Sequence, residues 1–322
     1  MRTILLTNHY AEQPRQIVSE CVPEGFRLLM LDEVTQEDLI RKIPEADYLL
    51  CSGRIRIGIE ELDAAKKLRM IQRTGVGLDS LDLALLRERN IPLYVNQGVN
   101  ADSVAEHTIL LILGCLRRLP VIQRNLQNGI WKKQEQGVRT YELRGKKVGL
   151  IGMGNISRRV AKILNAFGAE ILYYDVRRLS PEDEAALSLR YCALPELFAN
   201  ADILSLHCPL TEQTRHTVNA ETIAMMRDGA VIVNTARGGL VDTKALCEAL
   251  KSGKIAFAGL DVYETEPLND PVLRALDRII LTPHISGVTY DSFARMMRMA
   301  MQNIRMYDQG ELAAIASYLY TM

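Results

Sequence analysis

Residues 148–175 read VGLIGMGNISRRVAKILNAFGAEILYYD, and this stretch decides the fold. Val148 to Ile151 has no polar face, as a parallel strand covered by helices on both sides requires. Gly152 then supplies a sharp turn, and Gly154 leaves the backbone open where a following helix presents unpaired N–H groups. Ser157 takes the third position of a GxGxxG-type pattern; glycine or alanine is usual there, and serine is small enough for close helix–strand contact. A second apolar strand ends on Asp175, roughly 20 residues beyond the turn, where a carboxylate accepts hydrogen bonds from an adenosine ribose. The whole is a βαβ cradle for a dinucleotide. The acid favours NAD over NADP, because it would repel a 2′-phosphate, while Arg177 and Arg178 keep NADP as the lesser alternative.

Outward from the cradle, apolar runs recur on both sides. Ile4–Leu6, Phe26–Leu31, Tyr48–Cys51, Leu68–Ile71 and Ile91–Val95 precede it; Ile203–Leu206, Val231–Val233, Ala256–Leu260 and Ile279–Leu281 follow. With helix-compatible segments between them, they predict an α/β protein of two doubly wound parallel-sheet domains. A chain of 322 residues exceeds the usual size of one core, which also argues for two. A buried helix is expected over 101–119, then a polar segment, 120–145, with the only tryptophan, Trp131. The methionine-rich helix over 290–307 comes after the second sheet is complete and is expected to return to the first domain. Its methionines are expected to fill gaps in a core or a dimer contact. Thr35 with Asp38 marks a helix start, and another helix is expected at Ser80.

Composition narrows the partners. Lys plus Arg and Asp plus Glu both number 39, for a formal charge of zero, so no electrostatic footprint for nucleic acid or an anionic membrane is visible. The six cysteines lack CxxC or metal-ligand spacing. They are expected as free thiols, with no metal site. No apolar run reaches the roughly 20 residues that span a bilayer, and a cytoplasmic location is expected.

Three groups follow the late strands toward the edge where open α/β sheets bind ligands. Arg237, in VNTARGGLVD, offers a planar fork for a carboxylate. His284, in LTPHISG, has an unperturbed pKa near about 6.5, suited to giving and taking a proton. Glu266, in DVYETEP, is the carboxylate that would orient the imidazole and favour its charged form. Together they suit hydride transfer between a nicotinamide and a 2-oxo or 2-hydroxy acid. In the first domain, Ser52-Gly53-Arg54 and Thr74-Gly75-Val76-Gly77 also follow strands. Arg54 could fork onto an anion, and the amides around Val76 and Gly77 could form an anion nest or a plain turn.

The chain resembles the D-isomer-specific 2-hydroxyacid dehydrogenases, the family of phosphoglycerate dehydrogenase, glyoxylate and hydroxypyruvate reductase and D-lactate dehydrogenase. TGVGLDSLD at 74, NADSVAEHTILLIL at 100, VGLIGMGNIS at 148, SLHCPLTEQT at 205, VNTARGGLVD at 233, GLDVYETEP at 259 and LTPHISG at 281 carry it in family order. The resemblance implies a Rossmann NAD domain (100–284) inserted in a discontinuous flavodoxin-like substrate domain (1–99 and 285–322), and a homodimer built around the segment after residue 101. It implies Arg237, Glu266 and His284 as catalytic, with Arg54, Val76 and Gly77 at the substrate. Toward NAD it implies Gly152, Met153, Gly154, Asn155 and Ile156 at the pyrophosphate and Asp175 at the ribose. His207, Cys208 and Pro209 would lie on the adenosine side. Thr108, Thr214, Thr235, Ala236, Arg237, Asp261, His284 and Gly287 would complete the cofactor set. Formate oxidation is disfavoured, because the related formate dehydrogenases carry glutamine where Glu266 stands. The rival expectation from another class is an NAD-sensing, corepressor-like binding protein with little catalysis.

Overall fold

Short apolar strands rich in Ile, Leu and Val, several of them buried from end to end, set up both halves of the chain. The computed structural model describes residues 1–75 and 77–321. They divide into two compact units, Met1–Asn100 with Tyr290–Met322, and Ala101–Thr289.

The first unit holds β1 (Arg2–Leu6), β2 (Phe26–Met30), β3 (Tyr48–Cys51), β4 (Met70–Arg73) and β5 (Leu93–Val95). All pair in parallel, in the order β2-β1-β3-β4-β5, which is the flavodoxin-like order. The helix Tyr290–Asp308 belongs here, as expected. Its Met297, Ala300, Met301 and Ile304 recur at helical spacing and pack with Ile4, Leu6, Tyr48 and Tyr94. The two chain ends meet at Asp308, whose Oδ1 accepts from the hydroxyl of the buried Tyr48 at 2.5 Å and from Arg69 at 2.6 Å. Burial opposes ionisation of Asp308, but these bonds and the arginine charges hold it below the usual carboxylate range. The helix expected at Ser80 starts instead at Leu83. Leu81 bridges to Ile57, and Asp82 becomes the cap, accepting from the Leu85 amide at 3.0 Å.

The second unit holds β6 (Lys147–Ile151), β7 (Glu170–Tyr174), β8 (Leu189–Tyr191), β9 (Ile203–Leu206), β10 (Ala230–Asn234), β11 (Ile255–Leu260) and β12 (Ile279–Leu281). The parallel order is β12-β11-β10-β9-β6-β7-β8, the Rossmann arrangement with one further strand. Val148, Leu150, Val231 and Val233 pack in one core cluster with the helix Ala101–Leu116, while Leu204, Leu206, Ile232 and Leu260 pack in another. Alternation along each strand thus serves two buried faces. The strand order reverses between β6 and β9, which opens a crevice at their carboxyl ends. The unit runs to Thr289, past the 284/285 boundary expected from sequence, because Ile285 and Ser286 donate to Asp261 at 2.9 and 2.8 Å.

All six cysteines are free thiols. Among the described residues no His, Cys, Asp and Glu cluster is arranged to hold a metal ion, and no helix is long and apolar enough to cross a membrane.

Candidate active site

The glycine turn after β6 is shaped by what lies against it. Gly152 has φ +93°, and a Cβ there would stand 2.7 Å from the Cys208 amide nitrogen and 2.8 Å from the His207 carbonyl carbon. Its N–H donates to the Tyr174 carbonyl at 2.8 Å. The Met153 N–H donates to Asp175 Oδ2 at 2.6 Å, and the other oxygen of Asp175 accepts from the Arg177 amide at 2.9 Å. The acid that follows the second strand of the cradle therefore fixes the turn. Gly154 caps the helix Asn155–Ala166 and has open space where a Cβ would be. Free amides at the start of that helix, over Asn155 and Ile156, complete a cradle that fits a pyrophosphate. Ser157 is fully buried, and its hydroxyl donates back to the Gly154 carbonyl at 3.3 Å. Serine thus serves the third glycine's place without an orphaned polar group.

Across the switch point, His207 follows β9 and shares a hydrogen bond with Ser205 Oγ at 3.0 Å. Burial pushes its imidazole down to about 4 and the neighbouring Cys208 thiol up to about 11. Thr214 donates to the Pro209 carbonyl at 2.7 Å, which closes the loop beyond Pro209. Thr108 donates to the Val104 carbonyl, so Thr235 must be the donor in the 2.9 Å bond between the two buried hydroxyls.

The proposed chemical groups follow three adjacent strands. Arg237 stands after β10, where Asn234 clamps the turn: its Oδ1 accepts from the Ala236 amide at 3.0 Å and its Nδ2 donates to the Arg237 carbonyl at 2.8 Å. The next residue, Gly238, lies so close to the following loop that a Cβ would fall 1.8 Å from the Tyr263 carbonyl carbon. Only glycine lets these backbones meet. After β11, Asp261 is fully buried and accepts from Thr282 Oγ1 at 2.6 Å as well as from Ile285 and Ser286. Its carbonyl accepts from the His284 amide at 2.8 Å. His107 adds a bond to Thr282 at 3.0 Å. Since Thr282 spends its proton on the carboxylate, His107 Nε2 is the donor.

This scaffold holds His284 at φ +53°, a left-handed backbone that a β-carbon residue adopts at some cost. Its Nδ1 lies 2.7 Å from Glu266 Oε2, and the Tyr263 amide donates to Glu266 Oε1 at 3.1 Å. A carboxylate acceptor assigns the proton to Nδ1 and turns Nε2 outward, with half of the side chain exposed. Tyr263 also reaches the far end of the pair: its hydroxyl donates to the Thr282 carbonyl at 2.8 Å. Gly287 lies in the turn that follows His284. His216 pairs with Glu264 at 2.5 Å, outside this dyad.

The structure brings Glu266 and His284 together and orders Gly152, Met153, Gly154, Asp175 and His207 about one crevice. Gly77 and the exposed Arg54 stand in the first unit, after β4 and β3; Val76 lies outside the described residues. Asn234, Gly238, Tyr263 and Thr282 were not singled out from sequence. An asparagine that ends a strand is a readable turn signal, whereas the contacts of Gly238 and Tyr263 join distant segments.

Residues 109–286 match the model of the D-isomer specific 2-hydroxyacid dehydrogenase, NAD binding domain. A hydroxypyruvate reductase of Thermotoga maritima is 41% identical over 268 residues, covering 82% of this chain and 86% of its own. The chain belongs to the D-isomer-specific 2-hydroxyacid dehydrogenase family. A glyoxylate reductase of Thermofilum pendens is 38% identical over 317 residues, 93% of each protein. Among solved structures, a D-lactate dehydrogenase of Aquifex aeolicus complexed with NAD and lactic acid superposes with a TM-score of 0.84 at 28% identity, covering 99% of this chain and 98% of that one. This dehydrogenase is therefore an NAD-dependent oxidoreductase, and the glycine cradle with its terminal acid fits that cofactor.

Proposed function

We propose that this dehydrogenase reduces a small 2-oxo acid to the D-2-hydroxy acid, with His284 as proton donor, Glu266 as its orienting carboxylate and Arg237 as the substrate's cation. The observation that carries the reading is the 2.7 Å bond from Glu266 to His284 Nδ1 in a backbone held left-handed. It leaves Nε2 as the nitrogen that exchanges a proton. NAD, when bound as NADH, supplies the hydride. His284 delivers a proton to the carbonyl oxygen and takes it back in the reverse direction. The Arg237 fork binds the substrate carboxylate and draws charge onto the carbonyl oxygen. Gly152 to Ile156 hold the pyrophosphate, Asp175 the ribose hydroxyls, and Thr108, Thr235, Ala236, Asp261 and Gly287 line the rest of the cofactor. Arg54, Val76 and Gly77 are carried to the substrate from the family resemblance. The names of the two reductase relatives support hydroxypyruvate or glyoxylate as the acid.

A homodimer is part of the same reading. Leu119, Leu126, Trp131, Val138 and Tyr141 all expose large apolar surface, Trp131 at 79% and Val138 at 81%, in the polar segment where a partner is expected. Sedimentation equilibrium would return a monomer if this is wrong.

The test is NADH oxidation against hydroxypyruvate, glyoxylate, pyruvate, longer 2-oxo acids and 3-phosphohydroxypyruvate. One acid should turn over at an ordinary enzymatic rate. NADH binding without turnover of any of them would replace the reductase with an NAD-sensing protein.

A further inference from the structure

A second histidine–carboxylate pair shares a loop with the first, and the proposed chemistry does not use it. His216, between β9 and the helix Ala220–Met225, is held at φ +51°, the same left-handed region as His284. Its Nε2 stands 2.5 Å from Glu264 Oε1, and the other oxygen of Glu264 accepts from the Thr243 amide at 3.3 Å. Burial opposes ionisation of Glu264, but the bonds from Thr243 and His216 hold it below the usual carboxylate range. The two side chains are 39% and 32% exposed, and an ion pair so open to water adds little to stability. A left-handed residue persists where its surroundings over-determine it, so the pair calls for another account.

Each partner is built into a different piece of the site. His216 belongs with the turn that carries Arg237. Its N–H donates to the Gly239 carbonyl at 2.8 Å, the Val218 amide to the Leu240 carbonyl at 3.0 Å, and the Asp242 amide back to the Val218 carbonyl at 2.8 Å. Residues 216–218 are thereby zipped along the chain that leaves Arg237. Glu264 belongs to the loop after β11, between Tyr263 and the Glu266 that accepts from the Tyr263 amide. Gly238 lets the two backbones touch. The bond from His216 to Glu264 adds a side-chain lock across that contact.

We propose that His216 and Glu264 are positioning residues: their bond clasps the loop that carries Glu266 to the turn that carries Arg237, and so sets the spacing between the acid–base dyad and the substrate's cation. Neither touches the reacting atoms. A shift of about 1 Å between groups that must meet one small acid costs on the order of 10²-fold in rate, which gives a weak surface bond a large effect on the chemistry. The roles of the groups so positioned rest on the 2-oxo acid reading above.

The experiment compares His216→Ala with His216→Gln, which share the left-handed backbone while only glutamine offers Glu264 a donor, and adds Glu264→Ala. In both alanine variants kcat for the accepted 2-oxo acid should fall about tenfold, with its KM and the NADH affinity within about threefold of wild type. His216→Gln should keep kcat within about threefold of wild type. The double alanine variant should fall no further than either single one, since the two residues act as a unit. Wild-type kcat in the alanine variants, losses that multiply in the double variant, or equal losses in His216→Gln and His216→Ala would overturn the proposal. Should Glu264→Ala not fold, Glu264→Asp, a carboxylate one carbon too short to meet His216, takes its place. Imidazole nitrogen shifts in labelled histidine read the same positioning without substrate: His284 should keep its proton on Nδ1 in wild type and divide it between both nitrogens in Glu264→Ala. If wild type reduces no oxo acid, the functional reading fails, while an unchanged His284 tautomer in Glu264→Ala would overturn the clasp itself.

Discussion

Placing a methyl group at each of two glycines in one turn separates what the chain needs from what the cofactor needs. At Gly152 an added Cβ meets the Cys208 amide nitrogen at 2.7 Å, the His207 carbonyl carbon at 2.8 Å and the Cys208 α-carbon at 2.9 Å. These are backbone atoms at the end of a central strand, so none can swing aside. Overpacking of this kind costs about 1–3 kcal/mol, and holding an L-residue at positive φ adds roughly 1–2 kcal/mol. Gly152→Ala should therefore lose roughly 2–5 kcal/mol in urea unfolding and bind NADH poorly. At Gly154 the chain has nothing within 4 Å of the added carbon. Gly154→Ala should keep stability to within about 1 kcal/mol, the scale of a changed helix cap. Its NADH dissociation constant should nonetheless rise about tenfold or more, because the methyl stands where the pyrophosphate approaches. Urea titration and NADH fluorescence read the two quantities separately. The reasoning is refuted if Gly152→Ala is as stable as wild type, or if Gly154→Ala binds NADH as wild type does.

Three further outcomes follow from particular contacts. Tyr263→Phe removes the bond to the Thr282 carbonyl while leaving the ring and the amide bond to Glu266; kcat should fall about five- to tenfold with NADH affinity unchanged, and equal kcat would remove Tyr263 from the positioning of the dyad. His207 is pushed down to about 4 from an unfolded value near about 6.5. On acidification the unfolded chain takes up that proton first, so about 2–3 kcal/mol of stability, complete above pH ~6.5, is lost as pH falls to ~4; urea midpoints of His207→Asn should lack this component of the slope. Asp308→Asn, which strips the charge from the bonds to Tyr48 and Arg69, should cost about 2–3 kcal/mol, whereas Asp32→Asn, at an exposed ion pair, should cost under about 0.5 kcal/mol; similar losses in urea would contradict the role given to Asp308.

The sequence made the periodic features legible. Buried strands announced themselves as apolar runs, and the glycine turn with Asp175 identified the cradle because every element of that motif is local. The pairing of His284 with Glu266 was also readable, since proton transfer calls for a particular combination of residue types. What escaped reading depends on partners distant in sequence. β8 is three half-exposed or exposed residues at a sheet edge, held by Tyr191 against the rings of Tyr173 and Tyr174, and no periodicity can emerge from so short a run. The glycine at 238 looks like any turn glycine until Tyr263 is set against it. The fold also commits the Asp261 carboxylate to three donors in the segment that carries His284, partners that no local pattern announces.

The central claim is that His284, held by Glu266, moves the proton. Single-turnover oxidation of bound NADH by the accepted 2-oxo acid, in wild type, His284→Ala and Glu266→Gln, tests it most directly. The account predicts a loss of about 10²–10⁴-fold in the chemical step for His284→Ala, a smaller loss for Glu266→Gln, and unchanged NADH affinity in both. A wild-type rate in His284→Ala would contradict it.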